Sequence, residues 1–238
     1  MSTVLLMTPL LRFLAVYILP AAFLLRYIYR HDTVEKEPPG LLFKLLVMGV
    51  LAALCSGVLE RLGETVLNAL VDPGSPVYTI ILAFLVVALV EEGMKYLLLK
   101  RCTWRDPNFN YRFDGIVYAV FVSLGFAAFE NIQYVLNYGL SVALPRALLA
   151  VPGHMSFAVF MGLFYGRAKL CEAYSYRRGM KRNLLTGYLV AVFLHGFYDT
   201  CAMIGSAVST MVFLVFVGIM YFWVFRLLKR ESSNDVPV

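Results

Sequence analysis

VYTIILAFLVVALVEEGMKYLLL, residues 77–99, is long and apolar enough to cross a bilayer, yet it carries Glu91, Glu92 and Lys95 just past its middle. About 20 predominantly apolar residues suffice to span the hydrocarbon core. A charge at a helix centre costs roughly 2.5–3.5 kcal/mol on insertion scales, so such groups face a protein interior or a wet cavity rather than lipid. The stretch therefore predicts a membrane-spanning helix that belongs to a bundle, with its charged turn facing inward.

The rest of the 238-residue chain extends this reading. Hydrophobic residues make up 61% and charged residues 15%, and the mean hydropathy is +0.75, which excludes an ordinary soluble core. Further apolar stretches lie at about 5–28, 41–59, 115–137, 153–171, 184–204 and 206–228. The expected fold class is all-α: a polytopic transmembrane helix bundle of about seven spans, forming a single integral membrane domain over 1–238 with its motif-bearing core at about 77–205. The first stretch holds Arg12 and lacks a small-residue cleavage site followed by a soluble domain, so it predicts a retained segment. Pro9 and Pro20 predict a bend in it, which neighbouring helices accommodate. No internal repeat or low-complexity tract is visible, and the loops are short.

Lys and Arg concentrate in alternate connections: Arg26, Arg30 and Lys36; Lys100, Arg101, Arg105 and Arg112; Arg167, Lys169, Arg177, Arg178, Lys181 and Arg182; and Arg226, Lys229 and Arg230. The connections between them hold only Arg61, only Arg146, or nothing basic. Because cytoplasmic loops are enriched in these residues, the pattern predicts the N-terminus outside and the C-terminus in the cytoplasm. The net charge of +6 is thereby explained by topology. It forms no single patch with interleaved aromatics, so the expected partner is the lipid bilayer and not nucleic acid. Cys55, Cys102, Cys171 and Cys201 are scattered singly, without the spacing of a zinc site or a disulfide framework.

Other ionisable residues lie within the apolar stretches: Glu130, His154, His195 and Asp199. Glu91 with Lys95, and His195 with Asp199, stand at the i,i+4 spacing that puts both on one helix face, so each pair alone has a structural explanation. Together these groups would cost on the order of 10 kcal/mol or more unless they shared a polar site. At a rise of 1.5 Å per residue, Glu91 falls about 4–5 Å inward of its segment centre and Glu130 about 6 Å outward. Their side chains lean toward each other's level. His195 is close to the midplane, whereas His154 falls roughly 12 Å outward and is expected to line an entrance. Glu60, Arg61 and Glu64 read as a solvated helix end, Asp114 as a helix cap, and Tyr134 as a hydroxyl within reach of the cavity.

The run Glu91-Glu92-Gly93-Met94-Lys95 resembles the EExxK motif of the PrsW family of intramembrane proteases, within the superfamily that includes the type II CAAX prenyl endopeptidases. FDGIVYAVFVSLGFAAFENIQY, residues 113–134, is similar to that family's FExxxY segment, with Phe129, Glu130 and Tyr134 in the matching places. PGHMSFAVFMG, residues 152–162, resembles its histidine-bearing segment, and HGFYD, residues 195–199, its HxxxD. RHDTVEKEPP, residues 30–39, also resembles the family. The similarity covers roughly residues 30–200, in order and at family-like spacing.

The resemblance implies a glutamate-dependent intramembrane endopeptidase of the bacterial cell membrane, acting on a single-pass membrane-protein substrate such as an anti-sigma factor. Cleavage of prenylated tails is the lesser alternative. Hydrolysis needs a base to deprotonate water and a group to stabilise the oxyanion, and a carboxylate in a poorly solvated cavity suits the first task. Glu91 is favoured over Glu92 because it shares a face with Lys95, though the sequence does not separate them. His195 would hold the water or donate to the oxyanion, with Asp199 fixing its tautomer. Glu130 and His154 would complete or support the site. No cofactor is expected on this reading; zinc is the alternative, because two Glu, two His and an Asp also describe a carboxylate–histidine metal site, although HExxH is absent. A proton- or ion-coupled transporter is the rival from another class. It would show inverted repeats and broken helices at matching positions, and neither is visible.

Overall fold

The computed structural model describes residues 18–238, so the expectations for 5–17, including the effect of Pro9 and the placement of Arg12, lie outside the described residues. Seven helices follow in order: α1 (Leu19–His31), α2 (Pro39–Leu70), α3 (Pro76–Thr103), α4 (Asp114–Tyr138), α5 (Leu140–Ala173), α6 (Arg177–Ile204) and α7 (Ala207–Ser233). The last six are long and apolar enough to cross a membrane. The only β pairing among the described residues is an isolated bridge between Tyr111 and Pro237. The chain is an all-α, polytopic transmembrane bundle.

Local chemistry sets the breaks. α2 begins at Pro39, where a missing N–H costs nothing. It stops before Asp72-Pro73-Gly74, where Asp72 Oδ1 accepts from Gly74 N at 3.1 Å. Ser75 then caps α3, its hydroxyl oxygen accepting from Tyr78 N at 3.1 Å. α4 ends at Gly139 with φ +84°, and α6 at Gly205 with φ +63°, left-handed positions that favour glycine.

Two helices differ most from the expected spans. The stretch 41–59 runs on to Leu70, because the polar residues beyond it, Arg61, Glu64, Thr65 and Asn68, are exposed side chains that leave the helical backbone ladder intact. The stretch 153–171 begins instead at Leu140. Pro152 and Gly153 look like a helix start, but a π-helical turn over Arg146–Ala150 leads into Pro152 and the helix continues through it. A second π-helical stretch, Leu82–Ala88, precedes the charged turn of α3.

α4 is the central helix, with 78% of its apolar window buried inside the protein, against 28% for α7. It packs tightly against α5. A Cβ at Gly162 would lie 2.5 Å from both Gly115 O and Ile116 Cα, and one at Gly115 would lie 2.6 Å from Gly166 N. Gly162 and Gly166 form the small-xxx-small spacing that lets membrane helices approach backbone to backbone.

The basic connections gather at one end of the bundle. Arg112 pairs with Glu231 at 3.1 Å, Lys169 Nζ donates to Trp104 O at 2.9 Å, and Ser232 donates to His31 O. Residues 234–238 run beside 110–113, with Arg112 N donating to Val236 O and Val238 N to Asn110 O. Asp114 does not cap its own helix as expected. Its Oδ2 accepts from Asn110 N and Tyr111 N at 3.0 and 2.7 Å and braces the loop before α4. Two buried acids lie in the connection between α1 and α2. Burial lifts the Asp32 carboxyl to about 6, against the pull of Lys36. Burial likewise lifts Glu37 to about 7, against the hydrogen bond from Tyr118.

Candidate active site

The charged turn of α3 carries Glu91 and Glu92 one turn before Lys95, so a single ammonium meets both carboxylates. Lys95 Nζ is 3.0 Å from Glu91 Oε2 and 2.8 Å from Glu92 Oε1. It is also 3.2 Å from His154 Nδ1 and 3.8 Å from the centre of the Phe126 ring. Glu91, Glu92, Lys95, His154 and His195 are all buried. The apolar helices α4, α5 and α6 thus bring the two histidines to the glutamate pair of α3.

Each histidine is held between groups on both sides. His154 has Lys95 at Nδ1 and Glu130 Oε2 at Nε2, 2.9 Å away. His195 has Glu92 Oε1 at Nδ1, 2.9 Å away, and Asp199 Oδ2 at Nε2, 3.2 Å away. Phe157 stacks on the His195 ring at 4.8 Å between centroids. Glu130 is held in turn by Arg146 Nη2 at 2.8 Å, and the Arg146 guanidinium lies 3.7 Å over the Tyr134 ring. Tyr134 therefore meets the site through its ring rather than through the hydroxyl that sequence suggested.

A cavity of about 190 Å³ opens on this cluster, lined among others by Glu60, Glu91, Glu130, His154, His195 and Asp199. Glu92 and Lys95 lie behind it. One ligand atom from each of Glu91, Glu92, His154 and His195 lies within 4.8 Å of the others, the donor set of a divalent-metal site. The second oxygen of Glu92 is buried with no hydrogen-bond partner.

The eight residues expected at the site, Glu91, Glu92, Lys95, Glu130, Tyr134, His154, His195 and Asp199, converge here. His154 is the correction in placement: it is not at an entrance but inside the cluster, because α5 begins well before the proline that marked its expected start. Two charged residues of the cavity escaped the sequence reading. Glu60, read as a solvated helix end, lines the wall contributed by α2. Arg146, read as a lone loop charge, sits in the π-helical turn of α5 and pairs with Glu130. No hydropathy signal marks either, since each stands at the edge of an apolar run, where a charge reads as a helix end or a loop.

A model of the PrsW family, described as intramembrane metalloproteases, matches residues 37–226. The chain belongs to the PrsW family. It is similar to a protein named protease PrsW from Oceanobacillus iheyensis, 31% identical over 95% of this chain and 99% of that one. It is likewise similar to proteins of that name from Geobacillus kaustophilus, at 36% identity over 76% of this chain and 75% of the relative. The Bacillus subtilis protein is 30% identical over 92% and 94%. No solved structure matches the chain significantly. PrsW membership makes this a bacterial multi-pass membrane protein and an intramembrane protease, and it removes the transporter reading.

Proposed function

We propose that the cavity hydrolyses a peptide bond of a single-pass membrane-protein substrate, and that Glu92, His154 and His195 hold a divalent cation beside it. The observation that carries this reading is the set of buried ligand atoms within 4.8 Å of one another. The metal alternative thereby gains on the glutamate-only expectation. Two imidazoles and one carboxylate are a common catalytic zinc set that leaves a coordination position open. The outer nitrogen of each histidine faces a carboxylate, Glu130 for His154 and Asp199 for His195. Such partners suit a proton on Nε2; with a cation bound, each Nδ1 would turn its lone pair to the metal in place of its present contact with Lys95 or Glu92, the usual arrangement around metal-binding histidines. Glu130 and Asp199 are on this reading orienting groups. The unpartnered oxygen of Glu92 fits a ligand. A bound divalent cation would polarise the scissile carbonyl and acidify a water.

The residues of the chain do the rest. Glu91 is the member of the glutamate pair that lines the cavity, so it is the base that takes the proton of the attacking water. Lys95 holds Glu91 in place through the 3.0 Å contact, and Arg146 fixes Glu130 behind His154. The aromatic walls, Phe126 and Phe157, keep the cluster dry enough for these charges to act strongly. A bacterial regulatory protein such as an anti-sigma factor is the substrate class the family resemblance implies.

The test begins with comparison of new protein termini in cells expressing wild type or E91Q, which yields the substrate and its scissile bond. Metal content of purified wild type, E92A, H154A and H195A is then measured beside cleavage. Wild type is expected to carry about one zinc-type ion per chain, to lose it and its activity to a chelator, and to regain both. The three variants are expected to lose the ion. Full cleavage by chelated, metal-free protein would overturn the metal and leave a glutamate-only mechanism.

A further inference from the structure

We propose that Glu60 is the general acid of the reaction, the group that delivers a proton to the departing amine. This rests on reading the cavity as the hydrolytic site. α2 supplies the cavity wall that none of the motifs provides, through Ala53, Gly57 and Glu60 on one helix face. A Cβ at Gly57 would meet nothing within 4 Å, so open space lies one turn before the Glu60 carboxyl.

The pairing of charges singles Glu60 out. Glu91 and Glu92 share Lys95, Glu130 has Arg146 and His154, and Asp199 has His195. Among the described residues, Glu60 is the cavity carboxyl with no cation within ion-pair distance, and its Oε1 is buried with no hydrogen-bond partner. A buried charge without a partner is costly, so Glu60 is the member of the set suited to carry a proton rather than a charge. Because Glu60 lines the cavity, a substrate amide that enters it is the available partner for this carboxyl.

Peptide hydrolysis needs such a donor. Glu91 takes one proton from water, the hydroxyl adds to the carbonyl carbon, and the C–N bond breaks only as the nitrogen gains a proton. With Glu60 as donor, that proton leaves its carboxyl for the nitrogen, giving a free amine. Glu91 is then protonated and Glu60 ionised. Passage of one proton between them through cavity water restores both, and the net change is one water consumed per bond cut.

The test uses an internally quenched peptide spanning the bond mapped in cells, and its ester analogue with oxygen in place of the scissile N–H. An alkoxide leaves far more readily than an unprotonated amine, so the ester depends less on a donor. E60Q is expected to slow the peptide by roughly 10²-fold or more and the ester by less than about 10-fold, with bound metal unchanged. E91Q is expected to slow both alike. Equal slowing of the two substrates by E60Q, or no slowing, overturns the proposal and leaves the site itself standing. Survival of both activities in E91Q instead sinks the hydrolytic reading of the cavity. Should E60Q fail to fold, E60D carries the test: slowing of the peptide beyond the ester supports the assignment, and equal slowing overturns it.

Discussion

Replacing Lys95 with Met removes the one ammonium that two buried carboxylates share. It breaks ion pairs of 3.0 Å to Glu91 and 2.8 Å to Glu92, at a residue only 2% exposed. Removing one partner of a buried ion pair costs about 3–5 kcal/mol, because the remaining charge has no replacement for water. Each kcal/mol moves the melting temperature of a 150–250-residue domain by about 2–4 °C, so a fall of about 6–20 °C is expected. The assay is thermal unfolding in a fixed detergent, followed by intrinsic fluorescence, on metal-stripped protein. Two further measurements separate charge from packing. K95M/E92Q, which removes one of the stranded carboxylates, is expected to recover part of the loss. Zinc added to K95M is expected to raise its melting temperature more than it raises that of wild type, since a divalent cation restores the missing charge. A K95M melt within about 2 °C of wild type, less than 1 kcal/mol on this scale, would refute the claim that this ammonium neutralises the pair.

Other outcomes follow from separate parts of the fold. Asp32 and Glu37 have pKa values raised to about 6 and about 7 by burial, so each favours the fold below its unfolded value and loses that contribution as pH rises through the folded one. Stability is expected to decline between about pH 4 and 7 from these groups, and D32N with E37Q to flatten that slope in melts across the range. Gly162→Ala puts a Cβ 2.5 Å from backbone atoms of α4; a loss of at least about 1–3 kcal/mol is expected, read as a lowered melting temperature. Arg146→Ala frees Glu130 and the Tyr134 ring together, and is expected to weaken zinc binding by about 10- to 100-fold, as loss of support behind a ligand does. Unchanged affinity by titration would count against that chain of contacts.

The hydropathy pattern made the membrane bundle legible, and the i,i+4 pairs made the inward charges legible, because lipid penalises any other placement. Glu91 and Glu130 were placed near one level by rise and lean alone. What the pattern hid has a common physical origin. Pro152 and Gly153 carry the marks of a helix boundary, yet a preceding π-helical turn lets α5 pass through them, and this moves His154 from an edge to the centre. Glu60 ends an apolar run, yet α2 continues to Leu70 through mostly exposed residues while the Glu60 side chain turns to the cavity. A hydropathy window averages over all faces of a helix and so registers where apolar character stops, not where the backbone does.

The burial of α4 has a consequence for how the protein is made. This helix emerges from the ribosome before α5 and α6, the helices bearing the residues that complete its site. Until they arrive, Glu130 lacks both Arg146 and His154, and Gly115 lacks the backbone it is shaped to meet. Insertion is therefore easiest if α4 and α5 enter the bilayer as a hairpin, so that the acid crosses already paired. Substitutions at the glycines of α5 would then register first as chains with misplaced loops, short-lived in the cell, before any enzyme could be isolated to be found slow.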